Sequence, residues 1–397
     1  MRITLFLSAL AGGGAQRRML LLARGFAAAG HEVEIVTAGA PENVEAALPA
    51  GVRHRALASP LAGLPWLRHR RGLWVPAVWR RLAAHLRTRP PDVLLATSTP
   101  ANLTALLAAA ASGTGTPVVV SLNLDLEASL GRGLGGILGL PRRVAGIYRR
   151  AAMRVAISEG VAEGWRRLAG EGAPPIRTVP NPVDLAAVAR GAAAEPEPGW
   201  PVAGEGPLLL ACGKLKPQKD FATLIRAAAH LARQRPLRLV ILGEGEERRR
   251  LRALAAALGL GERVFMPGFV ANPFAWMARA SLFVLSSRFE GRSNVLLEAL
   301  ACGCPVVATD CPSGPREVLD GGRWGRLVPV GDAETLAAAM AAALDAPRDG
   351  PRLRARAAEF SIERAGAGYL AALAEAVERA AARGCRGTGA ALPRSAG

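Results

Sequence analysis

The sequence predicts an α/β protein built from two domains, each with a parallel β-sheet. Short apolar runs, typical of strands buried on both faces, alternate with helical patterns along the whole chain. At 397 residues, half of them hydrophobic, the chain is long enough for two separate cores. Residues 191–206 are rich in Ala, Gly, Pro and Glu, which is the composition of a linker between the two alternating sets.

Each predicted element follows from its local pattern. In the first set, a helix is expected at Ala15–Ala29, and strands at Arg2–Ser8, Glu32–Thr37, Asp92–Thr97, Val118–Leu122, Arg154–Ile157 and Ile176–Val179. In the second set, strands are expected at Leu208–Ala211, Leu237–Leu242, Val264–Phe265, Leu282–Leu285 and Val306–Ala308. Helices are expected there at Phe221–Arg233, Glu246–Leu258 and Asn294–Cys302.

The two sets imply Rossmann-like domains at residues 1–190 and 207–351, facing an interdomain cleft. Residues 352–383 have helical patterns again, and the last of these helices is expected to pack back on the first domain. The Gly-, Ala-, Pro- and Arg-rich residues 384–397 are predicted to be a disordered tail.

The net charge of +18 is concentrated in the first domain. Residues 1–190 hold 23 basic and 11 acidic residues, whereas the remainder holds 27 and 21. Many of the arginines come in pairs, which indicates either a solvated surface or a face that contacts anionic membrane lipids. Nucleic acid is the weaker interpretation, because no helix-turn-helix, zinc-finger or aromatic RNA-binding signature accompanies the pairs.

Lysine usage is anomalous. The chain has 47 arginines but only three lysines, Lys214, Lys216 and Lys219, all within the segment GKLKPQKD. This segment follows a predicted strand and precedes a predicted helix, where phosphate groups bind in α/β folds. Lysine is a compact charge with three donors, so the cluster predicts a phosphate site, the alternative being chance.

The segment FEGRSNVLLEALA places Glu290 and Glu298 on either side of a predicted helix start. Ser293 is a candidate N-cap and Gly303 a candidate helix stop. Glu298 lies in an apolar run, and a buried carboxylate requires a cation or hydroxyl donors. The helix N-terminus between the two acids suits phosphate. The pattern describes a nucleotide-sugar pocket, or alternatively one surface and one buried ion pair.

Metal and export signals are weak. The chain has five cysteines, and Cys302, Cys304 and Cys311 lack the second close pair or the histidine of a zinc site. Asp125 and Glu127 could suggest a divalent cation site, but the pair occurs once and in a loop. No metal is therefore predicted. Reduced thiols, and a first apolar run that is predicted to be a strand rather than a signal peptide, favour a cytoplasmic protein.

Six segments, in order, resemble the glycosyltransferases of family 4, which are retaining, sugar-nucleotide-dependent enzymes of the GT-B fold. They are GGGAQR at Gly12–Arg17, AISEGVAEG at Ala156–Gly164, VPNPVD at Val179–Asp184, GKLKPQKDFATLIRA at Gly213–Ala227, LGEGEERRRL at Leu242–Leu251 and the segment Glu290–Leu319. The last is the most specific, because it carries the family's pair of glutamates eight positions apart in the right helical context.

The resemblance implies roles for the acids and lysines. Glu298 would accept hydrogen bonds from the ribose hydroxyls, and Glu290 would hold the transferred sugar near the reacting carbon. Lys219 matches the lysine that binds the diphosphate in the family, and Lys214 lies where the family commonly has arginine. Glu290 and Lys219 are therefore the predicted catalytic residues.

Further residues would complete the donor site. Gly13 and Gly14 match the loop whose backbone faces phosphate or acceptor. Arg292, Ser293 and Asn294 lie where the helix N-terminus meets the diphosphate, although Arg292 could equally be a solvated side chain.

The sequence departs from the family at two positions. Many members have a histidine near the acceptor, where this chain has Asn123, followed by Asp125 as a second acceptor-site candidate. Asparagine cannot relay a proton as a general acid or base. Gln16 replaces the usual glutamate of the first loop.

The resemblance implies transfer of a hexose or N-acetylhexosamine, with retention, from a UDP- or GDP-linked sugar. The acceptor would be a hydroxyl of a glycan or lipid-linked molecule in cell-envelope polysaccharide or glycolipid synthesis. The basic charge of the first domain suggests peripheral contact with the inner face of the cytoplasmic membrane. Neither a metal nor a cofactor would be required. The alternative is a catalytically weak sugar-nucleotide-binding scaffold. A nucleotide-dependent oxidoreductase fits less well, because the third glycine of its fingerprint and the acid after the second strand are missing.

Overall fold

The computed structural model describes residues 1–10, 14–39, 48–59, 75–127, 138–196 and 205–388. Contacts divide the chain into two units. Unit 1 comprises residues 1–157, 161–182 and 362–397, and unit 2 comprises residues 158–160 and 183–361. The chain therefore returns to unit 1 at its C-terminal end.

Each unit has one β-sheet. The strands are β1 Arg2–Leu7, β2 Glu32–Thr37, β3 Val52–Ala56, β4 Val93–Thr97, β5 Val118–Leu122, β6 Met153–Ala156, β7 Ile176–Thr178, β8 Leu208–Cys212, β9 Arg238–Leu242, β10 Val264–Gly268, β11 Leu282–Leu285, β12 Val306–Thr309 and β13 Arg326–Val328.

Helices alternate with these strands. They are α1 Gly14–Ala28, α2 Trp79–Thr88, α3 Thr99–Ser112, α4 Leu140–Tyr148, α5 Glu159–Ala169, α6 Leu185–Ala193, α7 Phe221–Ala232, α8 Arg248–Ala257, α9 Pro273–Arg279, α10 Asn294–Ala301, α11 Pro315–Val318, α12 Ala333–Asp345, α13 Gly350–Ala358 and α14 Ile362–Thr388.

Unit 1 is a seven-stranded parallel sheet in the order β3-β2-β1-β4-β5-β6-β7, with an apolar core on each face. On one face, Met19 and Phe26 of α1 pack with Tyr369 of α14. On the other face, Leu82 and Trp165 belong to a second buried cluster. Because both faces are covered, central strands such as β4 are buried at every position, and this explains their continuous apolar sequence.

Unit 2 is a six-stranded parallel sheet in the order β10-β9-β8-β11-β12-β13. Residues of α7, α8 and α12 cover one face, and residues of α6, α9, α10 and α13 cover the other. The strand order reverses between β8 and β11, as it does between β1 and β4 in unit 1. Ligands of such sheets bind at this reversal, beyond the carboxyl ends of the strands.

The predicted strands and helices are present, with small shifts at their ends. Two strands were not predicted: β3, which has an intermediate residue and three exposed ones among its five, and β13, which has only three residues. Buried strands were predicted from continuous apolar runs, which neither β3 nor β13 has.

The predicted boundaries at the linker and the tail differ from the structure. Unit 2 begins at Val183 rather than after residue 206, because residues 185–193 form helix α6. Asp184 caps this helix by accepting a hydrogen bond from the Ala187 N–H at 3.0 Å, a local signal that the Ala-rich composition obscured. At the other end, α14 continues to Thr388, so residues 384–388 are helical. Residues 389–397 lie outside the described part.

No helix in the described part of the chain is both long enough and apolar enough to span a membrane.

One buried ion pair ties α2 to the sheet of unit 1. His85 Nε2 lies 2.9 Å from Glu34 Oε2, and both residues are buried. Burial alone would raise the pKa of the Glu34 carboxyl. The hydrogen bond and charge of His85, together with the charges of Arg53 and Arg89, outweigh burial and hold the pKa below its ordinary value.

This pKa shift predicts a pH-dependent stability. Since the folded-state pKa of Glu34 is below the unfolded value, the ionised Glu34 carboxylate stabilises the fold above the unfolded pKa, and this contribution is lost as the pH falls through the folded pKa. Glu34→Gln should lower the thermal unfolding midpoint by a few degrees at pH 7, and the difference should shrink below about pH 4. Glu32→Gln on the same strand is the control, because its partner is the exposed Arg53. Equal midpoints for Glu34→Gln and the parent at pH 7 would contradict the assignment.

Candidate functional site

The candidate site of unit 2 lies where the loops after β8 and β11 meet. The β8 loop contains a short 3-10 turn, Pro217–Lys219, and ends at Asp220, which has a left-handed backbone with φ of 46° directly before α7. Such a conformation is strained for a residue with a side chain, and strained backbone clusters at functional sites. The β11 loop runs from Ser286 to Ser293 and leads into α10.

An ion pair joins the two loops. Lys219 Nζ lies 2.6 Å from Glu290 Oε1, and the Ser287 hydroxyl donates to the same oxygen at 2.7 Å. The side chains of Lys219 and Glu290 are only 17% and 8% exposed. A buried carboxylate is tolerated because a cation and a hydroxyl both contact it. The structure therefore brings together the two predicted catalytic residues, which are 71 positions apart in sequence.

Backbone contacts fix the position of this pair. The Ser286 hydroxyl donates to the Lys219 carbonyl at 2.8 Å, and Gln218 Nε2 donates to the Phe289 carbonyl at 2.8 Å. A Cβ at Gly213 would lie 3.1 Å from Lys219 Cε, so the stem of the lysine packs on the bare backbone of this glycine. Contacts at its main-chain carbonyl, along its methylene stem and at its Nζ therefore fix the position of Lys219.

A third loop, which follows β12, contacts the main chain of Glu290 and Gly291. The Ser313 hydroxyl donates to the Glu290 carbonyl at 2.6 Å. Gly314 has φ of 95°, and a Cβ at this position would lie 2.7 Å from the Gly291 carbonyl oxygen. Sequence reasoning missed Ser313 and Gly314, although the segment CPSGP has the composition of a structured turn.

Cys311 is a neutral neighbour of the ion pair. Burial, and then the negative charge of Glu290, raise the pKa of its thiol to about 12. Burial likewise raises the pKa of Cys302 and Cys304 to about 12. These thiols remain protonated at physiological pH and are poor nucleophiles. Within the described ranges, no three His, Cys, Asp or Glu side chains form a potential metal site.

Helix α10 begins at the same place. Ser293 occupies the predicted N-cap position, but its side chain makes no capping hydrogen bond. Its hydroxyl oxygen is instead buried, without a hydrogen-bond partner among the residues that the structure describes. Asn294 is the first helical residue, and Gly303 follows the helix with φ of 69°, as expected for a helix stop.

Glu298 is buried in α10 at 6% exposure, as predicted from the apolar run around it. It lies one helical turn before Cys302, and its charge contributes to the raised pKa of that thiol. Glu290 and Glu298 therefore belong to one unit, one before and one within α10.

The surroundings of Arg292 rule out one of its two interpretations, the solvated side chain. The residue is 8% exposed and donates to Glu317 Oε2 at 2.7 Å. Its guanidinium also lies 5.3 Å from the centre of the Phe360 ring. Burial lowers its pKa, and the Glu317 carboxylate opposes this shift. The contacts give Arg292 a structural role in fixing the loop.

The remaining predicted donor-site residues are spread over both units. Lys214 is exposed at the start of the β8 loop in unit 2. Gly14 is the first residue of α1 in unit 1, and Gly13 lies outside the described residues.

The two acceptor candidates of unit 1 have different surroundings. Asn123 lines a cavity at the carboxyl ends of β4 and β5. Asp125 instead packs against α5, where a Cβ at Gly164 would overlap its carboxylate and Arg167 Nη2 lies 3.6 Å away. Asn123 also contacts Arg18, a buried residue that sequence reasoning did not single out.

Comparison with known proteins assigns a family to each part of the chain. Residues 12–187 match the family model described as Glycosyltransferase Family 4, and residues 206–346 match the one described as Glycosyl transferases group 1. The two matches do not overlap, and together they account for most of the sequence.

Curated relatives match over shorter segments. The chain is 45% identical over 128 residues, 32% of its length, to the N-acetylgalactosamine-N,N'-diacetylbacillosaminyl-diphospho-undecaprenol 4-alpha-N-acetylgalactosaminyltransferase of Campylobacter jejuni. It is 38% identical over 136 residues, 34% of its length, to the lipopolysaccharide core biosynthesis glycosyltransferase LpsE of Rhizobium meliloti. The matched segments span about a third of these relatives, 34% and 39%.

A solved structure extends the likeness to nearly the whole fold. The HepE protein of Anabaena, in complex with UDP, superposes with a TM-score of 0.70 over 94% of this chain and 100% of that one, at 19% identity. With the two parallel-sheet units and the two family matches, the chain belongs to the family 4 glycosyltransferases of the GT-B fold.

Proposed function

We propose that the protein transfers a hexose or N-acetylhexosamine from a nucleoside diphosphate sugar to an acceptor hydroxyl, with retention at the anomeric carbon. The observation that carries the proposal is the Lys219–Glu290 pair at 2.6 Å, held at the strand-order reversal of unit 2. A cation suits the diphosphate, and a carboxylate suits the sugar hydroxyls.

The chemistry needs both charges. When the glycosidic bond breaks, the departing nucleoside diphosphate gains negative charge, which Lys219 would neutralise while Lys214 supports it from the exposed start of the loop. Glu290 would accept hydrogen bonds from the sugar and orient its reacting carbon. Glu298 would accept from the ribose hydroxyls. The buried Ser293 hydroxyl and the N-terminus of α10 offer donors for phosphate oxygens.

We propose that this charge is balanced by side chains rather than by a resident metal ion, and that the nucleotide is UDP or GDP. The three lysines concentrated in one loop support the first point. The UDP complex of the Anabaena neighbour supports the second.

Retention would follow from attack on the same face as the leaving group. In the proposal Glu290, which contacts Lys219 and Ser287, binds the sugar hydroxyls and does not form a covalent bond to the sugar. We therefore favour assistance by the departing phosphate, which accepts the proton of the incoming hydroxyl.

The acceptor is proposed to be a glycan or a lipid-linked molecule of the cell envelope. The names of the Campylobacter and Rhizobium relatives, a diphospho-undecaprenol transferase and a lipopolysaccharide core enzyme, support this class. The excess of arginine in residues 1–190 would favour peripheral contact with anionic lipid at the inner face of the cytoplasmic membrane.

Nucleotide binding tests the donor site directly. Calorimetric titration with UDP and GDP in the presence of EDTA should detect binding of at least one of them. Lys219→Met keeps the methylene stem but removes the charge, and it should weaken binding by about ten- to hundredfold, the range for a lost charge-assisted hydrogen bond. Lys216→Met, at an exposed position in the same loop, should change the affinity less than about threefold. Undiminished binding to Lys219→Met, or binding that requires a divalent metal, would refute this part of the proposal.

Glu290→Gln separates an enzyme from a binding scaffold. The amide keeps the size of the side chain but cannot balance the positive charge of Lys219. It also accepts hydrogen bonds from the sugar less strongly than the carboxylate does. We expect turnover of the sugar nucleotide to fall by at least about a hundredfold while UDP affinity changes little. Glu246→Gln, at an exposed position, serves as the matched control. If parent and Glu290→Gln proteins turn over the donor equally slowly, the scaffold alternative is favoured.

Gly314→Ala tests whether the loop after β12 positions Glu290. Its Cβ would meet the Gly291 carbonyl oxygen at 2.7 Å and would also occupy a left-handed backbone. The β11 loop must therefore shift, and turnover should fall about tenfold or more through displacement of Glu290. Gly321→Ala is the control, because this glycine also has a positive φ, of 66°, but open space around it. Equal turnover for both variants would show that the contact does not position the carboxylate.

A further inference from the structure

Unit 2 has a surface pocket at the end of its strands opposite to the candidate site. It lies where the amino ends of β12 and β13 meet the end of α12 and the start of α13, whereas the Lys219–Glu290 pair lies beyond the carboxyl ends of β8 and β11. Its volume of about 370 Å³ is in the range of small-molecule sites, about 300–1,000 Å³. The charged and aromatic residues that line it are Arg323, Trp324, Arg326, Asp349 and Arg352.

Trp324 gathers arginine side chains around its ring. The guanidinium of Arg352 lies 5.0 Å from the ring centre, that of Arg323 lies 5.7 Å away, and that of Arg356 lies 6.0 Å away. Arg352 Nη2 also donates to the Arg323 carbonyl at 3.1 Å. Guanidinium groups are attracted to the face of an indole, so the half-buried ring keeps these like charges close together.

The pocket offers hydrogen-bond donors that the protein leaves unused. Arg326 Nη2 donates to the Ala342 carbonyl at 3.4 Å, and this contact and the one from Arg352 engage only one of the five N–H groups of each guanidinium. The indole N–H of Trp324 has no acceptor among the residues that the structure describes.

Carboxylates compensate these cations only in part. Asp349 is the one lining carboxylate among the described residues, and it caps α13 by accepting from the Arg352 N–H at 3.0 Å. Asp320 lies 3.8 Å from Arg323, but both side chains are more than half exposed, where an ion pair contributes little. Three lining arginines against one lining carboxylate leave two positive charges in excess.

The helix ends at the pocket do not reverse this balance. α12 ends there and α13 begins there, so the negative end of one helix dipole lies beside the positive end of the other. At the end of α12, the Ala342 carbonyl already accepts from Arg326, and Asp345 pairs with Arg235 at 2.8 Å. The arginines therefore determine the potential in the pocket.

We propose that this pocket binds the phosphate group of a small phosphate ester, an inference that is independent of the proposed transferase function. Guanidinium and indole N–H groups donate, and the oxygens of a phosphate dianion accept. A phosphate monoester carries a charge of about −1.5 to −2 at pH 7, which matches the excess in the pocket better than the single charge of a carboxylate. An ammonium group is repelled, and a nucleobase is disfavoured because guanidinium groups already lie over the Trp324 ring.

The Trp324 indole provides a readout at the pocket itself. The chain has seven tryptophans, and in an NMR spectrum of the full chain with ¹⁵N-labelled indoles the signal missing from Trp324→Phe belongs to Trp324. Glycerol 3-phosphate and inorganic phosphate are titrated at an ionic strength held constant with sodium chloride. Each should shift this signal saturably, with half-saturation below about 10 mM, and glycerol should not shift it.

Substitutions assign the binding to the arginines of the pocket. Arg352→Gln and Arg326→Gln should each weaken binding of glycerol 3-phosphate by about tenfold or more, as expected for a lost charge-assisted hydrogen bond. Arg354→Gln is the control, because it removes the same charge from an exposed position of α13 that does not line the pocket, and it should change the affinity less than about threefold. Lys219→Met should bind as the parent does, because Lys219 lies at the other end of the strands.

The phosphate can come from a soluble ester or from a lipid headgroup, and vesicle flotation separates the two. Phosphatidylcholine vesicles are prepared with and without phosphatidic acid. Flotation that requires phosphatidic acid, and that Arg352→Gln loses but Arg354→Gln keeps, identifies the lipid source. A shift of the Trp324 signal with glycerol 3-phosphate, without flotation that depends on Arg352, identifies a soluble source.

Three results would overturn the site. The first is that glycerol 3-phosphate and phosphate leave the Trp324 signal in place while flotation is equal for the parent and Arg352→Gln. The second is that sodium chloride alone shifts the signal as much as glycerol 3-phosphate does. The third is that Arg352→Gln and Arg326→Gln bind glycerol 3-phosphate as tightly as Arg354→Gln.

Discussion

The candidate site of unit 2 depends on one interaction, the burial of the Glu290 carboxylate against Lys219. An isolated charge in such surroundings would be very unfavourable, so the lysine loop after β8 and the glutamate loop after β11 must meet. The hydroxyls of Ser286, Ser287 and Ser313 complete this junction by bonding to the two residues that form the pair. The loops are therefore held in place by the same charges that the proposed chemistry uses.

Within this arrangement Lys219 and Glu290 compensate each other's charge. In the proposed function, the phosphate oxygens of a sugar diphosphate would compete with Glu290 for Lys219, and its hydroxyls would replace the lysine as donors to Glu290. Such an exchange would leave neither Lys219 nor Glu290 without a partner. Binding would therefore avoid the cost of an unpaired buried charge. Cys311 does not interfere, because its thiol stays protonated beside the carboxylate.

Sequence reasoning recovered the elements whose information is local. Continuous apolar runs identified β4 and β11, and the clustering of lysine in one loop singled out Lys219, which the structure pairs with Glu290. It failed where tertiary contacts decide the outcome. The polar composition of β3 concealed a strand at the sheet edge, and the burial of Arg292 depends on Glu317, 25 positions away. Arg18 was missed for the same reason, because its side-chain partners lie 79 to 163 positions along the chain.

The two units treat buried charge in opposite ways, and this difference bears on what each can bind. In unit 2 the partly buried Lys219 has a carboxylate partner, Glu290. In unit 1, Arg18 is held by the dipoles of hydroxyls and amides, and its charge is not cancelled by any carboxylate of the described residues. Those dipoles must turn their oxygens toward the guanidinium, which leaves the amide protons of Asn123 on the other side. The buried arginine therefore orients its polar neighbours, and through Asn123 this orientation extends to the wall of the cavity.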